Sequence, residues 1–102
     1  MAQYIKSKEE FETFTAQTDK TLLVDFYADW CMPCQMLSPV LEQMEKESAG
    51  KIQLAKVNVD ECLELAMAFK VSSIPAVVIY KEGKLYNRFV GAMPREEIEK
   101  LL

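Results

Sequence analysis

The spacing of hydrophobic and polar positions changes several times along the chain, and each change predicts a new element. Ser7 followed by Glu10 is typical of a capping box, so a short helix is expected to begin there. The almost entirely apolar run over residues 22–27 predicts a central strand covered on both faces. From Cys34 onward, apolar residues recur at helical spacing as far as Gly50, which predicts a helix that tolerates an internal proline.

The second half of the chain continues this alternation and then adds a hairpin. The pattern predicts a strand over residues 52–59, a helix capped by Asp60 that carries Cys62, a strand over 75–80, a hairpin loop over 81–84, a strand over 85–90 and a last helix from Pro94. Alternating strands and helices favour parallel pairing, whereas a hairpin requires antiparallel pairing. The expected fold class is therefore α/β with a mixed sheet.

Length and charge narrow the classes of protein to be considered. With 102 residues and no linker-like segment, we expect a single domain over residues 1–102. The net charge of -4 offers no basic surface for nucleic acid or an anionic membrane. The longest apolar run, residues 76–80, is far shorter than the roughly 20 residues of a membrane span, and the first residues contain no signal-peptide pattern. We expect a cytoplasmic monomer that binds neither nucleic acid nor membrane.

The strongest chemical signal is a pair of cysteines, Cys31 and Cys34, where the central strand passes into the helix. Thiols at this spacing can close a small disulfide ring. A helix N-terminus or a Cys-X-X-Cys setting lowers the pKa of a thiol from about 8.5 to between about 3.5 and 7.5. Cys31 is therefore the expected attacking thiolate, and Cys34 is expected to resolve the mixed disulfide by attacking Cys31.

Two other interpretations of the cysteines are less well supported. A structural zinc site needs four ligands, but the chain has three cysteines and no histidine, so no metal site is expected. Inert core cysteines are common, yet a pair flanked by Trp30 and Pro33 at a loop-to-helix junction does not suit a core. The third cysteine, Cys62, lies on the inward stripe of its predicted helix, which favours a core role over a second redox role.

The sequence resembles the thioredoxin family over nearly its whole length. The motifs that carry the resemblance are the segment 24–31, the Cys-X-Pro-Cys pair, and the segments 55–60, 71–76 and 90–92. The resemblance implies a three-layer fold with a central mixed β-sheet and helices on both faces. It also implies a protein-disulfide reductase that needs no bound cofactor, acts on disulfide-containing proteins and is re-reduced by a thioredoxin reductase.

One position departs from the family pattern. Thioredoxins usually carry Gly-Pro between the cysteines, whereas here Met32 precedes Pro33. Met32 places a flexible apolar group beside the active sulfur and can alter the reduction potential. Related disulfide oxidants often place histidine before the second cysteine. Because proline occupies that place here, we expect a reductant rather than an oxidant.

Two charged residues are candidates for proton handling. Asp25 interrupts the apolar strand, so burial is expected to raise the pKa of its carboxyl, although a strand-end position reaching solvent is the alternative. The resemblance implies that Asp25 lies behind Cys34 and accepts the proton of its thiol. Lys56 is carried over from the family as the cation beside Asp25, the alternative being an exposed lysine with a buried stem.

The resemblance also implies a substrate groove. From base rates the Ile74-Pro75 bond would be trans, but the family match implies a cis proline facing the dithiol, with the backbone at Ile74 pairing with a substrate segment. The expected apolar docking surface consists of Trp30, Met32, Pro33, Ile74, Gly91, Ala92 and Met93. The alternative is that these are scattered surface hydrophobic residues.

A second class of function remains open at this point. A thioredoxin-like binding module, or a subunit of a larger assembly, would use the docking groove without redox chemistry. The presence of both cysteines argues against this alternative, since docking does not require them.

Overall fold

The computed structural model describes residues 2–102, which form nine elements. In chain order they are β1 (Gln3–Tyr4), α1 (Lys8–Thr15), β2 (Thr21–Tyr27), α2 (Met32–Glu47), β3 (Ile52–Asn58), α3 (Leu63–Ala68), β4 (Ala76–Lys81), β5 (Lys84–Val90) and α4 (Arg95–Glu99). No helix between residues 2 and 102 has the length and hydropathy to cross a membrane.

The five strands form one mixed sheet in the order β1-β3-β2-β4-β5. β3 is parallel to both β1 and β2, whereas β4 is antiparallel to β2 and to β5. The predicted α/β class and mixed sheet are therefore confirmed. β2 lies at the centre with a partner on each side, which explains its nearly continuous apolar sequence. Its register with β3 places Asp25 beside Lys56.

Helices cover both faces of the sheet, as the three-layer expectation requires. On one face, α1 and α3 pack their apolar side chains against Leu22, Val24 and Phe26 of β2. On the other face, α2 and α4 pack against Leu23. Because side chains alternate along a strand, Asp25 and Tyr27 point to the same face as Leu23, towards α2.

Several predicted boundaries differ from the observed ones. The helix expected from Cys34 begins earlier, at Met32, and ends at Glu47, three residues before Gly50. The prediction that Asp60 caps a helix is wrong, because α3 begins at Leu63 and its N-cap is Cys62. The two-residue strand β1 was not predicted, since it is too short to show a period.

The packing of α2 against the sheet yields a stability prediction. Leu41 of α2 is fully buried against the sheet, so Leu41→Ala should lower the free energy of unfolding by about 2–5 kcal/mol. Met36 lies on the same helix but is 66% exposed, so Met36→Ala should change this free energy by no more than about 0.5 kcal/mol. Urea denaturation measures both, and equal losses would contradict the assigned packing of α2.

Candidate active site

The two cysteines lie at the junction between β2 and α2. Cys31 is the N-cap of α2, and its Sγ accepts a hydrogen bond from the backbone N–H of Cys34 at 3.2 Å. Pro33 lies in the first helical turn, where a missing N–H costs no helical hydrogen bond. The Cα atoms of Cys31 and Cys34 are 5.3 Å apart, and a disulfide joins their sulfurs. The positive end of the helix dipole therefore lies at the Cys31 sulfur.

Both members of the pair are covered in this oxidised form. Cys31 is 4% exposed and Cys34 is 3% exposed, so both cysteines are buried to almost the same extent. Ala28 completes their cluster, and the partly buried Val59 and Ile74 pack against it. The cover over Cys31 includes a chain segment that is distant in sequence.

That distant segment is the Ile74-Pro75 turn, whose peptide bond is cis, as the family resemblance implied. The carbonyl oxygen of Ile74 lies 3.8 Å from the Cys31 Sγ. Pro75 is buried, and its carbonyl accepts a hydrogen bond of 2.8 Å from the N–H of Gly91. Gly91 has a φ of 95°, a conformation that favours glycine, while a Cβ there would meet no atom within 4 Å. These contacts bring three separate segments together.

The remaining docking candidates differ in exposure. Trp30 is 71% exposed and Met32 is 65% exposed, and the indole Nε1 of Trp30 donates a 2.8 Å hydrogen bond to Asp60 Oδ2. Pro33 and Ala92 are also exposed. Met93 is only partly exposed and packs against the core on the α2 face. Asp60, expected as a helix cap, instead fixes the orientation of the exposed indole.

Asp25 is fully buried, so the alternative that it reaches solvent at a strand end is wrong. Within residues 2–102, neither of its carboxyl oxygens has a hydrogen-bond partner. Burial raises the pKa of Asp25 to about 7; the positive charge of Lys56 acts to lower this pKa, and the negative charge of Glu42 acts to raise it. The carboxyl can thus exchange a proton near neutral pH.

Lys56 is 8% exposed and is not the exposed lysine of the alternative interpretation. Its ammonium donates a hydrogen bond to Ser38 Oγ and lies 3.9 Å from Glu42 Oε2. It also lies 4.9 Å from the centre of the Tyr27 ring, a cation–π distance. The ammonium is therefore held mainly by α2 and Tyr27.

A cleft of about 400 Å³ extends from Lys56 to Cys34, the second cysteine of the pair. Its lining includes Cys34, Ser38, Glu42, Lys56 and Tyr27. Sequence reasoning missed Ser38 and Glu42. Their spacing of four and eight residues from Cys34 places all three on one face of α2, and this periodic signal could have found them.

Cys62 belongs to a different hydrophobic cluster from Cys31 and Cys34. It is 7% exposed, belongs to the core cluster on the α1 and α3 face, and has a free thiol. Across the described residues 2–102, no group of three or more His, Cys, Asp or Glu side chains is arranged to hold a metal ion.

Comparison with known proteins gives a consistent result. The thioredoxin family model matches residues 2–102. The chain is 45% identical over 92 residues to a thioredoxin of Chlorobaculum thiosulfatiphilum, covering 90% of this chain and 85% of that protein. It is 38% identical over 96 residues to thioredoxin M4, chloroplastic, of Arabidopsis thaliana, covering 94% of this chain but only 50% of that protein.

Solved structures agree with this match. A mutant thioredoxin from Halobacterium salinarum NRC-1 superposes with a TM-score of 0.89 at 35% identity, covering 98% of this chain and 86% of that chain. The thioredoxin of Malassezia sympodialis gives a TM-score of 0.86 at 34% identity, covering 99% and 88%. Nothing in the comparisons favours a binding module without redox chemistry. With the family model spanning residues 2–102 and a joined Cys31–Cys34 pair at the start of α2, the chain belongs to the thioredoxin family and is a thiol–disulfide oxidoreductase.

Proposed function

We propose that the protein reduces disulfides in protein substrates, with Cys31 as the attacking thiolate and Cys34 as the resolving thiol. The observation that carries this assignment of roles is the N-cap position of Cys31, whose sulfur accepts the Cys34 N–H at the positive end of a 16-residue helix. A helix N-terminus stabilises negative charge on sulfur, so the reduced Cys31 is the better nucleophile.

The exchange proceeds in two balanced steps. The Cys31 thiolate attacks one sulfur of the substrate disulfide, and the second substrate sulfur leaves as a thiolate. The Cys34 thiolate then attacks the Cys31 sulfur of the mixed disulfide and expels the first substrate sulfur. The substrate gains two electrons and two protons, and the protein ends in the Cys31–Cys34 disulfide form seen in the structure.

Asp25 is the proposed proton acceptor for the second step. Cys34 must lose its thiol proton before it can attack, and the chain contains no histidine to take it. A buried carboxyl with a pKa near 7 can accept that proton and release it to the departing substrate sulfur. Lys56 is the proposed cation that influences the charge of Asp25.

The substrate groove is proposed to lie over Cys31. Ile74 presents backbone next to the attacking sulfur, and an extended segment can pair with such backbone. Trp30, Met32, Pro33, Pro75, Gly91 and Ala92 are proposed to shape the groove. Its exposed members, including the 71% exposed Trp30 and the 65% exposed Met32, give it apolar area.

A thioredoxin reductase is the proposed electron donor that restores the two thiols, and disulfide-containing proteins are the proposed acceptors. One similar solved structure concerns thiol resolution in a yeast mitochondrial 1-Cys peroxiredoxin through glutathione and thioredoxin systems.

We further propose a cytoplasmic monomer, with bacterial relatives such as the thioredoxin of Bacillus subtilis as support for the location. The net charge of -4 supports the absence of nucleic-acid and membrane partners.

Substitution of each cysteine tests the assigned roles. Cys31→Ser should abolish turnover in a protein-disulfide reduction assay, because the nucleophile is lost. Cys34→Ser should also abolish turnover but should trap a mixed disulfide with substrate, visible on a non-reducing gel. Cys62→Ser is the matched control, since this buried thiol has no disulfide partner, and it should retain turnover. Turnover by either variant of the pair would refute the mechanism.

The raised pKa of Asp25 predicts a specific pH dependence of stability. The folded protein holds the Asp25 proton up to about pH 7, whereas the unfolded chain releases it near 3.8. Ionisation of Asp25 therefore does not affect the free energy of unfolding below about pH 4, and it lowers this free energy progressively as the pH rises to 7. Relative to wild type, Asp25→Asn should leave the free energy of unfolding unchanged at pH 3.5. Above pH 8, Asp25→Asn should raise the free energy of unfolding by about 4 kcal/mol. This value is the difference between pKa values of 3.8 and about 7, at about 1.36 kcal/mol for each pH unit.

Urea unfolding of the disulfide form at several pH values measures this difference. Asp19→Asn is the control, because it makes the same substitution at an exposed aspartate that precedes β2. A stability difference for Asp25→Asn that stays constant from pH 3.5 to 8.5 would show that the pKa of Asp25 is the same in the folded and unfolded states, and would contradict the raised value.

A further inference from the structure

We propose that Ser38 and Glu42 are positioning residues that hold the Lys56 ammonium against α2 and so leave the buried Asp25 carboxyl without a cationic partner. The inference rests on the proposed role of Asp25 as proton acceptor and concerns how that carboxyl is kept able to hold a proton.

The sheet alone would favour an ion pair between Asp25 and Lys56. The two residues are register partners on adjacent parallel strands, which lie about 4.8 Å apart. Both side chains point to the α2 face of the sheet, since Lys56 follows Leu54 by two positions as Asp25 follows Leu23. A carboxylate and a lysine that are buried side by side normally pair, because an unpaired buried charge is strongly destabilising. Yet neither Asp25 oxygen has a partner within the described part of the chain.

The ammonium is instead bound by a short polar chain on α2. Lys56 Nζ donates to Ser38 Oγ, and the Ser38 hydroxyl donates to Glu42 Oε2 at 3.2 Å. Lys56 Nζ also lies 3.9 Å from that same carboxylate oxygen. The Glu42 side chain is 50% exposed, so water stabilises its negative charge while it attracts the buried cation. We call the pair of α2 residues that binds the Lys56 ammonium the Ser38–Glu42 latch.

The surrounding groups favour the latched position. From β2, the Tyr27 ring lies 4.9 Å from Lys56 Nζ, and from β1 the Tyr4 ring lies 6.0 Å from it. Asp29 and Cys34 also line the cleft that contains the ammonium. The charged groups acting on Asp25 are Lys56 from β3 and Glu42 from α2. The latch therefore draws Lys56, the cation that acts on Asp25, towards a competing carboxylate.

The consequence concerns the proton of Asp25. A direct ion pair would lower the pKa of Asp25 towards the acidic range, and the carboxyl would no longer hold a proton near neutral pH. With the ammonium held by the latch, burial dominates and the pKa of Asp25 is about 7. Ser38 and Glu42 touch neither the sulfurs nor substrate in this scheme. Ser38 acts through Lys56, and Glu42 acts through Lys56 and by its own negative charge.

Titration of the Asp25 carboxyl tests the latch directly. Carbon-13 NMR of the disulfide form follows the carboxyl resonance against pH in each variant. Ser38→Ala frees the ammonium to approach Asp25, and the midpoint should fall by about 1 pH unit, the low end for a cation moved to within about 4–6 Å. Ser38→Thr keeps a hydroxyl and should retain the wild-type midpoint. A midpoint that is unchanged or raised in Ser38→Ala would overturn the proposal.

A double-mutant cycle shows whether the effect passes through Lys56. Lys56→Met alone should raise the midpoint, because the cation is lost. In the Lys56→Met background, Ser38→Ala should then cause no further change. An equal fall in both backgrounds would overturn the proposal, because Ser38 would then be acting on Asp25 without Lys56.

The charge of Glu42 needs a matched control. Glu42→Gln should lower the midpoint, since it removes both a negative charge and the competing partner of Lys56. Glu12→Gln removes an equal charge from α1, on the opposite face of the sheet, and should leave the midpoint unchanged. Equal shifts in the two variants would mean that only net charge matters, and would overturn the proposal. Near-ultraviolet circular dichroism confirms that each variant is folded.

A kinetic measurement separates this inference from the proposed function on which it rests. The rate of mixed-disulfide resolution is measured against pH for wild type, Ser38→Ala and Asp25→Asn. If the latch serves the proton step, the pH profile of Ser38→Ala moves in the same direction as its Asp25 midpoint. A profile unaffected by Asp25→Asn would refute Asp25 as proton acceptor, while a midpoint shift in Ser38→Ala would still support the latch.

Discussion

The burial of one carboxyl in the central strand is the constraint on which the active site depends. Asp25 is fully covered and has no hydrogen-bond partner within residues 2–102, an arrangement that penalises its charged form. Because its pKa is raised to about 7, the carboxyl is protonated and neutral below neutral pH, which lowers the cost of burying it. A protein stabilised only by packing would place an apolar residue there. Retaining the acid at the cost of stability is consistent with a role in proton transfer.

The architecture could largely be predicted from sequence, because hydrophobic residues recur at clear intervals along the strands and helices of this chain. The apolar run of β2 predicted its central position, and the Ser7–Glu10 pattern predicted the start of α1, where Ser7 Oγ accepts the Glu10 N–H. The error at Asp60 has a physical reason. An aspartate before a helix can cap it, but it can also accept a hydrogen bond from a distant group, here the indole of Trp30.

The site was only partly predictable, since its residues meet through tertiary contacts. The Cys31–Cys34 spacing is a local motif and was evident from the sequence. Three contacts depend instead on how segments distant in sequence pack together. They are the contact of Ile74 with Cys31, that of Pro75 with Gly91, and that of Lys56 with α2. Ser38 and Glu42 lie on a helix whose apolar stripe dominates its pattern, so two polar positions on another face gave a weak signal.

The two sulfurs of the disulfide have different neighbours. Cys31 touches the backbone of Ile74, next to the exposed apolar residues, whereas Cys34 lines the cleft shared with Ser38 and Lys56. In the proposed groove, a partner seated against Ile74 covers the first sulfur and leaves the cleft beside the second one open to water. Electrons and protons can therefore leave the dithiol in different directions, and bulky partners need not obstruct the exchange of protons with solvent.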